Sequence, residues 1–271
     1  MGCTGRVSRM TASTVAWYWG EIAASNESDA LRLRHAAEDA ELWVRDVRLM
    51  RGRGYSTASS EARRALARVG AIMRLRARGR YFVHAAGVVD PAGRAFVLAG
   101  DSGAGKSTLA FSLSRAGWLV LGDDGVVLEP RAAGVLAHPW RDALRVSAQT
   151  FPELADGVLA DALRHTSDDP RQRVRAAAAS GKTAPVAALV FVRRAECQQV
   201  TPLEPLDALA RLVRQSPWVL LGDALSRPHL NALRHMALTV PALELAHTSG
   251  RLESVPDLLS SAGTGGQAPE G

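Results

Sequence analysis

The sequence predicts an α/β domain with an N-terminal extension, and three observations support this fold class. Apolar stretches with strand character alternate with stretches of helical spacing along most of the chain. A glycine-rich segment stands between a predicted strand and a predicted helix. The 271 residues, 47% of them hydrophobic, suffice for one large core and suit two equal domains less well.

The N-terminal extension is predicted over residues 1–58 and is expected to be partly β. Apolar and polar residues alternate with a period of two in stretches such as 30–34 and 41–47, which is typical of half-buried strands. Residues 1–14 are expected to be irregular.

A helix is predicted next, from Ser59 or Ser60 to about Arg78, because serine is a favoured N-cap residue. Apolar residues share one face of this helix, and arginines are spread over the rest of its surface. We interpret these arginines as a solvated basic face. A docking surface for an acidic peptide is the alternative.

The main domain is predicted over residues 59–259. After the helix comes a hairpin with a strand at 81–89, a turn at 90–93 and a return strand at 94–99. Further strands are predicted at 118–121, 125–128, 185–192 and 243–245, and further helices at 107–116, 206–215 and 228–239. The tail 260–271, rich in Gly, Ser and Ala, is expected to be disordered.

The segment 100–107 matches the phosphate-binding pattern Gly-x4-Gly-Lys-[Ser/Thr]. Its glycines let backbone N–H groups converge on phosphate oxygens, and the following helix adds the positive end of its dipole. Lys106 is expected to reach the β- and γ-phosphates of ATP, and Ser107 to offer its hydroxyl to Mg²⁺. Only two of the 33 basic residues are lysines, which makes the lysine at this position more informative. The predicted nucleotide-binding residues are Gly100, Asp101, Ser102, Gly103, Ala104, Gly105, Lys106, Ser107 and Thr108.

Two adjacent carboxylates, Asp123 and Asp124, follow the predicted strand 118–121. The C-terminal ends of strands are the edge at which ligands bind in open α/β sheets. One carboxylate is expected to hold Mg²⁺, and the other to accept the proton of an attacking hydroxyl. Which residue has which role is left open.

A family resemblance is carried by three segments: Val83-His84-Ala85-Ala86, the glycine-rich segment, and Gly122-Asp123-Asp124. Together they resemble the catalytic domain of HPr kinase/phosphorylase. They are closer still to HPr-kinase-like proteins found beside peptide-modification gene clusters, including those of lasso peptides. The resemblance is specific over residues 81–128 and traceable to about residue 258. It implies a P-loop kinase of the HPr kinase/phosphoenolpyruvate carboxykinase type, with a mixed sheet and flanking helices.

The resemblance also implies an activity, namely a serine kinase that transfers the γ-phosphate of ATP with Mg²⁺ to a peptide or protein hydroxyl. His84 would lie near the two aspartates. In the segment 138–146, Arg145 is the first candidate for a phosphate contact and Arg141 the second. Lys182, in the basic segment Gly181-Lys182-Thr183, resembles a residue of a loop that approaches the phosphates.

Two departures from this family bear on the substrate. HPr kinases carry Glu-Ile-Arg-Gly in their arginine-bearing segment, and this chain does not. Their separate N-terminal domain is not recognisable in residues 1–60. Both departures put HPr in doubt as the substrate, along with the reverse phosphorylase activity. A ribosomally made precursor peptide or a small hydroxylated molecule is more plausible.

Three alternative functions are kept. A small-molecule kinase like adenylylsulfate kinase shares the glycine-rich string, but its Arg-Asn-rich segment has no counterpart in residues 125–137. An ATPase such as a transporter subunit needs a Leu-Ser-Gly-Gly-Gln-like signature and an apolar strand ending in Asp-Glu, and the strand 185–192 is followed by Arg-Arg-Ala-Glu. A non-catalytic nucleotide-binding module in a peptide-modification pathway is the third.

Composition and termini predict a cytoplasmic protein. No run of 18 apolar residues suggests a membrane span, and the N-terminus lacks the continuous apolar stretch of a secretory signal. Neither Cys3 nor Cys197 lies in a metal or redox motif. The net charge of +6 reflects a general preference for arginine, so we predict no nucleic-acid partner and no membrane partner. The expected partner is the substrate, and a homo-oligomer is left open.

Overall fold

The computed structural model describes residues 7–10, 14–19, 22–27, 30–45, 47–140, 143–147, 171–175, 182–248 and 252–262. These residues form a mixed α/β fold, in which sheets of parallel and antiparallel strands are flanked by helices. They divide into two units. The first combines the residues up to Phe82 with Ser216–Ala232, and the second combines Val83–Gln215 with the residues from Leu233 on.

The first unit contains a six-stranded antiparallel sheet in which each strand pairs with the next along the chain. Its strands are β1 (Val7–Met10), β2 (Thr14–Trp19), β3 (Ile22–Glu27), β4 (Ala30–His35), β5 (Glu41–Arg45) and β6 (Arg48–Arg51). The alternating pattern therefore predicted strands correctly between residues 15 and 50. The prediction of irregular structure was wrong for Val7–Met10, because pairing with β2 stabilises a strand whose own pattern is weak.

The predicted helix forms as α1 (Ser60–Arg76), and Ser59 caps it by accepting a hydrogen bond from the backbone N–H of Ala62 at 3.1 Å. Its buried face packs on β3, β4 and β5. The members of that face are Ala62, Leu66, Val69, Ile72 and Met73. The sequence pattern predicted a domain boundary between residues 58 and 59, which would separate α1 from this sheet. In the structure, α1 and the sheet belong to the same unit.

A buried polar network joins the end of α1 to the segment 216–232. The guanidinium of Arg76, 3% exposed, donates to both carboxylate oxygens of Asp223 and, through Nε, to Nδ1 of His229 at 3.2 Å. Nε2 of His229 lies 3.1 Å from the hydroxyl of Ser216, which itself donates to the carbonyl of Phe82 at 2.7 Å. These bonds tie together segments that are about 140 residues apart in sequence.

The second unit is built on a larger mixed sheet with the strand order β10-β8-β9-β15-β12-β11, in which β17 also pairs with β15, and β16 with β17. The pairs β9–β15 and β15–β17 are parallel. A separate pair joins β13 to β14. The strands are β7 (Tyr81–Val83, at the boundary between the units), β8 (Ala85–Val89), β9 (Ala95–Ala99), β10 (Leu119–Gly122), β11 (Val126–Arg131), β12 (Gly134–His138), β13 (Ala143–Ser147), β14 (Arg171–Arg175), β15 (Ala184–Arg194), β16 (Gln199–Pro202) and β17 (Ala242–His247).

The remaining helices are α2 (Lys106–Arg115), α3 (Pro205–Gln215) and α5 (Val255–Ala262) in the second unit, and α4 (Ser226–Thr239), which begins in the first unit and ends in the second. A 3-10 turn at Pro217–Leu221 belongs to the first unit, and another at Leu252–Ser254 belongs to the second. The helix α2 packs on β8, β9, β10 and β13, so that apolar side chains of the helix and of the strands form one cluster. Fully buried members of that cluster include Phe96, Leu98, Leu109, Leu113 and Val190. No helix in the described part of the chain is both long enough and apolar enough to cross a membrane.

Most predicted elements of the second unit are confirmed, with two corrections. The predicted strand 81–89 is interrupted at His84, where β7 ends and β8 begins. The predicted disordered tail begins too early, because Ser260–Ala262 form the last turn of α5, while 263–271 lie outside the described residues.

Candidate phosphate-binding site

Several segments of the second unit meet at one edge of the mixed sheet. The glycine-rich loop, residues 100–105, follows Ala99 at the end of β9, and Ala99 pairs with Phe191 near the end of the parallel strand β15. The strand β17 runs parallel to β15 and ends at His247. The strand β10 ends at Gly122, directly before the two aspartates. The loop and the carboxylates therefore lie at the same edge of the sheet, which is the edge at which the sequence predicts a ligand.

The backbone of the loop requires its glycines. Gly100, Gly103 and Gly105 have φ values of 150°, 83° and 98°, which residues with a Cβ rarely adopt. A Cβ on Gly100 would also come within 2.5 Å of the carbonyl oxygen of Val192. The chain then enters α2, whose first intrahelical bond runs from Leu109 N to Gly105 O at 2.8 Å. The N–H groups that precede this bond have no partner within the helix, which is the arrangement that binds anions at helix N-termini.

The side chain of Lys106 reaches back across this loop. Its Nζ donates to the carbonyl oxygens of Gly100 at 2.7 Å and of Asp101 at 3.0 Å, and the residue is 8% exposed. The ammonium group is thereby held against the loop by two neutral acceptors. The arrangement places the positive charge beside the glycines whose backbone would contact a phosphate.

The hydroxyl of Ser107 donates to Oδ1 of Asp123 at 2.7 Å. Ser107 lies in the first turn of α2, and Asp123 is 3% exposed behind the end of β10. Hydroxyl and carboxylate oxygens are ligands that suit Mg²⁺, which usually takes only one or two protein ligands beside phosphates and water. No cluster of three His, Cys, Asp or Glu side chains that could hold a metal occurs in the described residues. The donor set fits a magnesium ion that arrives with a nucleotide.

The second aspartate has an unusual backbone. Asp124 has a φ of 60°, and it has the only positive φ among the described non-glycine residues. Its carbonyl oxygen accepts a hydrogen bond from Nδ1 of His84 at 3.3 Å. The N–H of His84 in turn donates to the carbonyl of Gln215 at 2.7 Å, which fixes His84 at the end of α3. The structure therefore brings His84 and Asp124 together, and it does so through the backbone of Asp124.

The remaining predicted site residues are placed differently. Arg145 lies in β13 opposite Arg173 of β14, but its side chain lies outside the described residues, as does Arg141 altogether. Lys182 is exposed and precedes β15, at the opposite end of that strand from Phe191. No described contact joins Lys182 to the glycine-rich loop, so the structure gives no support to its predicted role.

His247 is a residue of this site that the sequence did not single out. It is 1% exposed, and its Nε2 donates to the carbonyl of Ala104 at 2.9 Å. Its ring lies so close to Gly105 that a Cβ there would come within 2.8 Å of Cε1 and Nε2. Nδ1 is buried without a hydrogen-bond partner among the described residues. A lone histidine at the end of an apolar strand carries no signal of this contact in the sequence.

A second constellation, Ser216 with His229, has the residue types of a nucleophile and its base. Ser216 is fully buried, and its hydrogen is directed to the carbonyl of Phe82. Burial, and then the charge of Arg76, lower the pKa of His229 to about 3, although Asp223 acts in the opposite direction. The pair is therefore a neutral part of the buried network rather than a catalytic site.

No family model and no curated protein matches the chain. Among solved structures, the Hpr(Ser) kinase/phosphatase from Coxiella burnetii is similar, with a TM-score of 0.35 and 12% identity. The match covers 67% of this chain and 87% of that one. A structural similarity at this level does not show an activity.

Proposed function

We propose that this chain is an ATP-dependent kinase that transfers a phosphoryl group to a hydroxyl, namely that of a serine in a peptide or protein. The observation that carries the proposal is the 2.7 Å hydrogen bond between Ser107 and Asp123, which links the first turn of α2 to the end of β10. This pair, the Lys106 ammonium on the glycine-rich loop and the N-terminus of α2 together support a site for a nucleotide phosphate and its metal. A glycine-rich turn with no ligand has no need for this combination.

The nucleotide would be held by the loop and the start of α2. N–H groups of the loop and of the first turn of α2 would bind the phosphates, and Lys106 would exchange the carbonyls of Gly100 and Asp101 for phosphate oxygens. Ser107 and Asp123 would hold Mg²⁺. ATP supplies the transferable phosphoryl group, and the metal bound with it neutralises charge on the phosphate oxygens.

The two aspartates would have different roles in the reaction. Asp123 is almost fully buried and engaged with Ser107, which favours metal binding as its role. Asp124 is only partly buried, which leaves it the better candidate for the base that accepts the proton of the attacking hydroxyl. His84 would position this base by holding its carbonyl oxygen. Arg145 stays a candidate for a contact with the transferred phosphoryl group.

We further propose that the substrate is a peptide. A precursor peptide with an accessible serine is favoured over HPr, because the chain lacks the Glu-Ile-Arg-Gly segment of HPr kinases. A small hydroxylated molecule is the second candidate, and the adenylylsulfate-kinase-like chemistry belongs to this class.

The experiment that tests the proposal is incubation of the full chain with ATP and Mg²⁺ and a library of serine-containing peptides, followed by mass spectrometry. The expected product is a peptide heavier by one phosphate, and the same library with alanine in place of serine should give none.

The variant Asp124→Asn should keep ATP binding and lose transfer. Asp207→Asn, an exposed aspartate in α3, is the matched control and should transfer at the parent rate. Equal transfer by Asp124→Asn and the parent would contradict the assigned base, and ATP binding without any transfer would favour a non-catalytic nucleotide-binding module.

A further inference from the structure

The first unit carries a cationic groove of about 500 Å³ between β6 and the start of α1. Roughly 300–1,000 Å³ is the usual volume of a ligand site. None of its lining side chains is acidic, and all but one of them can donate a hydrogen bond. We call this set the arginine groove, and its members are Arg51, Tyr55, Ser56, Ser60, Arg63, Arg64 and Ala67.

Two of the three arginines are held in place by the protein. Nη1 of Arg63 donates to the carbonyls of Ser56 at 3.2 Å and Ala58 at 2.6 Å. The guanidinium of Arg51 lies 5.6 Å from the centre of the Tyr55 ring. Side chains that are already ordered lose less conformational entropy when they bind a ligand.

The charges around the groove favour an anion. Arg51 and Arg64 are exposed and form no ion pair with another described residue. The nearby carboxylate of Glu38 is engaged by the N–H and hydroxyl of Ser59, and these hydrogen bonds lower the pKa of Glu38. Glu61 is exposed in the first turn of α1. The positive end of the α1 dipole, at Ser60, adds to the field of the three arginines.

We propose that the arginine groove binds an acidic peptide segment. Arginine binds carboxylates through paired, charge-assisted hydrogen bonds, which suits a row of Asp or Glu side chains. A single-stranded nucleic acid is the less suitable occupant, because base stacking needs exposed aromatic rings, and the one ring of the groove is covered by Arg51. The claim that the groove docks a kinase substrate rests on the proposed function. The claim that it binds an acidic peptide does not.

The test uses the full chain and a fluorescein-labelled hexaglutamate peptide, with binding followed by fluorescence anisotropy. The double variant Arg51→Gln/Arg64→Gln should weaken binding by roughly tenfold or more, since it removes two charge-assisted contacts. The matched control, Arg78→Gln/Arg234→Gln, removes the same charge at exposed arginines that do not line the groove and should change affinity less than about twofold. Arg64→Gln alone should give an intermediate loss, and unchanged circular dichroism shows that each variant is folded.

Three outcomes would overturn the proposal: no binding of hexaglutamate to the parent chain, equal losses in the two double variants, or tighter binding of a labelled single-stranded oligonucleotide that displaces the peptide. Calorimetry with ATP shows whether a failure concerns the groove or the proposed nucleotide site. The groove variants should keep the parent affinity for ATP, so loss of peptide binding with intact ATP binding concerns the groove alone.

Discussion

The two units each bury a basic side chain, and they satisfy it in different ways. In the first unit, Arg76 meets the carboxylate of Asp223 and the ring of His229, so its charge is matched by a fixed partner. In the second unit, the ammonium of Lys106 bonds two backbone carbonyls, which are neutral acceptors that a phosphate can replace. Arg76 is therefore bonded to side chains that are packed with it in the fold, whereas at least two of the acceptors of Lys106 are loop carbonyls that the oxygens of a ligand can replace.

The largest expected effect is on stability, from Arg76→Ala. Removing Arg76 leaves the carboxylate of Asp223 without its charged partner and Nδ1 of His229 without its donor, at a cost of about 3–5 kcal/mol in the free energy of unfolding. Urea denaturation followed by circular dichroism measures this loss. Arg78→Ala, an exposed arginine two residues further on, is the control and should cost less than about 0.5 kcal/mol. A loss equal to that of the control would mean that the network does not stabilise the unit.

The next effect is on nucleotide binding, from Lys106→Ala. We expect the affinity for ATP in calorimetry to fall by about a hundredfold or more, because the loop loses its only side-chain cation. Lys182→Ala, at the chain's other lysine, should bind ATP like the parent, because Lys182 precedes β15 at the end of that strand opposite to Phe191. An equal loss in both variants would restore Lys182 to the phosphate site.

Stability should also depend on pH through His229. Its pKa is lowered from an ordinary value of 6.5 to about 3, so below pH 6.5 the unfolded chain takes up a proton that the folded chain does not. Its contribution is therefore fully present above pH 6.5 and is lost as the pH falls toward 3, by at most about 1.4 kcal/mol per pH unit. Urea denaturation at pH 7 and pH 5 measures the difference. His229→Gln should flatten this part of the profile, and an unchanged slope in the variant would contradict the assignment.

The smallest effect is expected from His247→Ala. The loss of one hydrogen bond to the loop and of the ring behind Gly105 should weaken ATP binding by roughly three- to tenfold. His235→Ala, in α4, is the control. If the His247 variant binds ATP with the affinity of the parent, the loop keeps its conformation without the contact from His247.

The sequence predicts best what depends on neighbouring residues. The cap of α1, the turn of the hairpin and the start of α2 after Gly105 all follow from local residue types, and they form where the sequence places them. The strand β16 was not predicted, because so short a strand depends on pairing with β17, which lies about 40 residues further along the chain. The strand β12 was missed although its partner β11 directly precedes it. The contact of His247 with the loop and the return of Ser216–Ala232 to α1 are likewise produced by tertiary packing, which no local pattern encodes.

The most direct test of the central claim is the affinity for ATP with and without Mg²⁺, measured by calorimetry for the parent chain and for Asp123→Asn. The proposed pairing of Ser107 and Asp123 predicts that Mg²⁺ tightens binding to the parent, and that the variant keeps binding ATP but loses most of this gain. No heat at millimolar ATP, or the same gain from Mg²⁺ in both proteins, would contradict the proposed site.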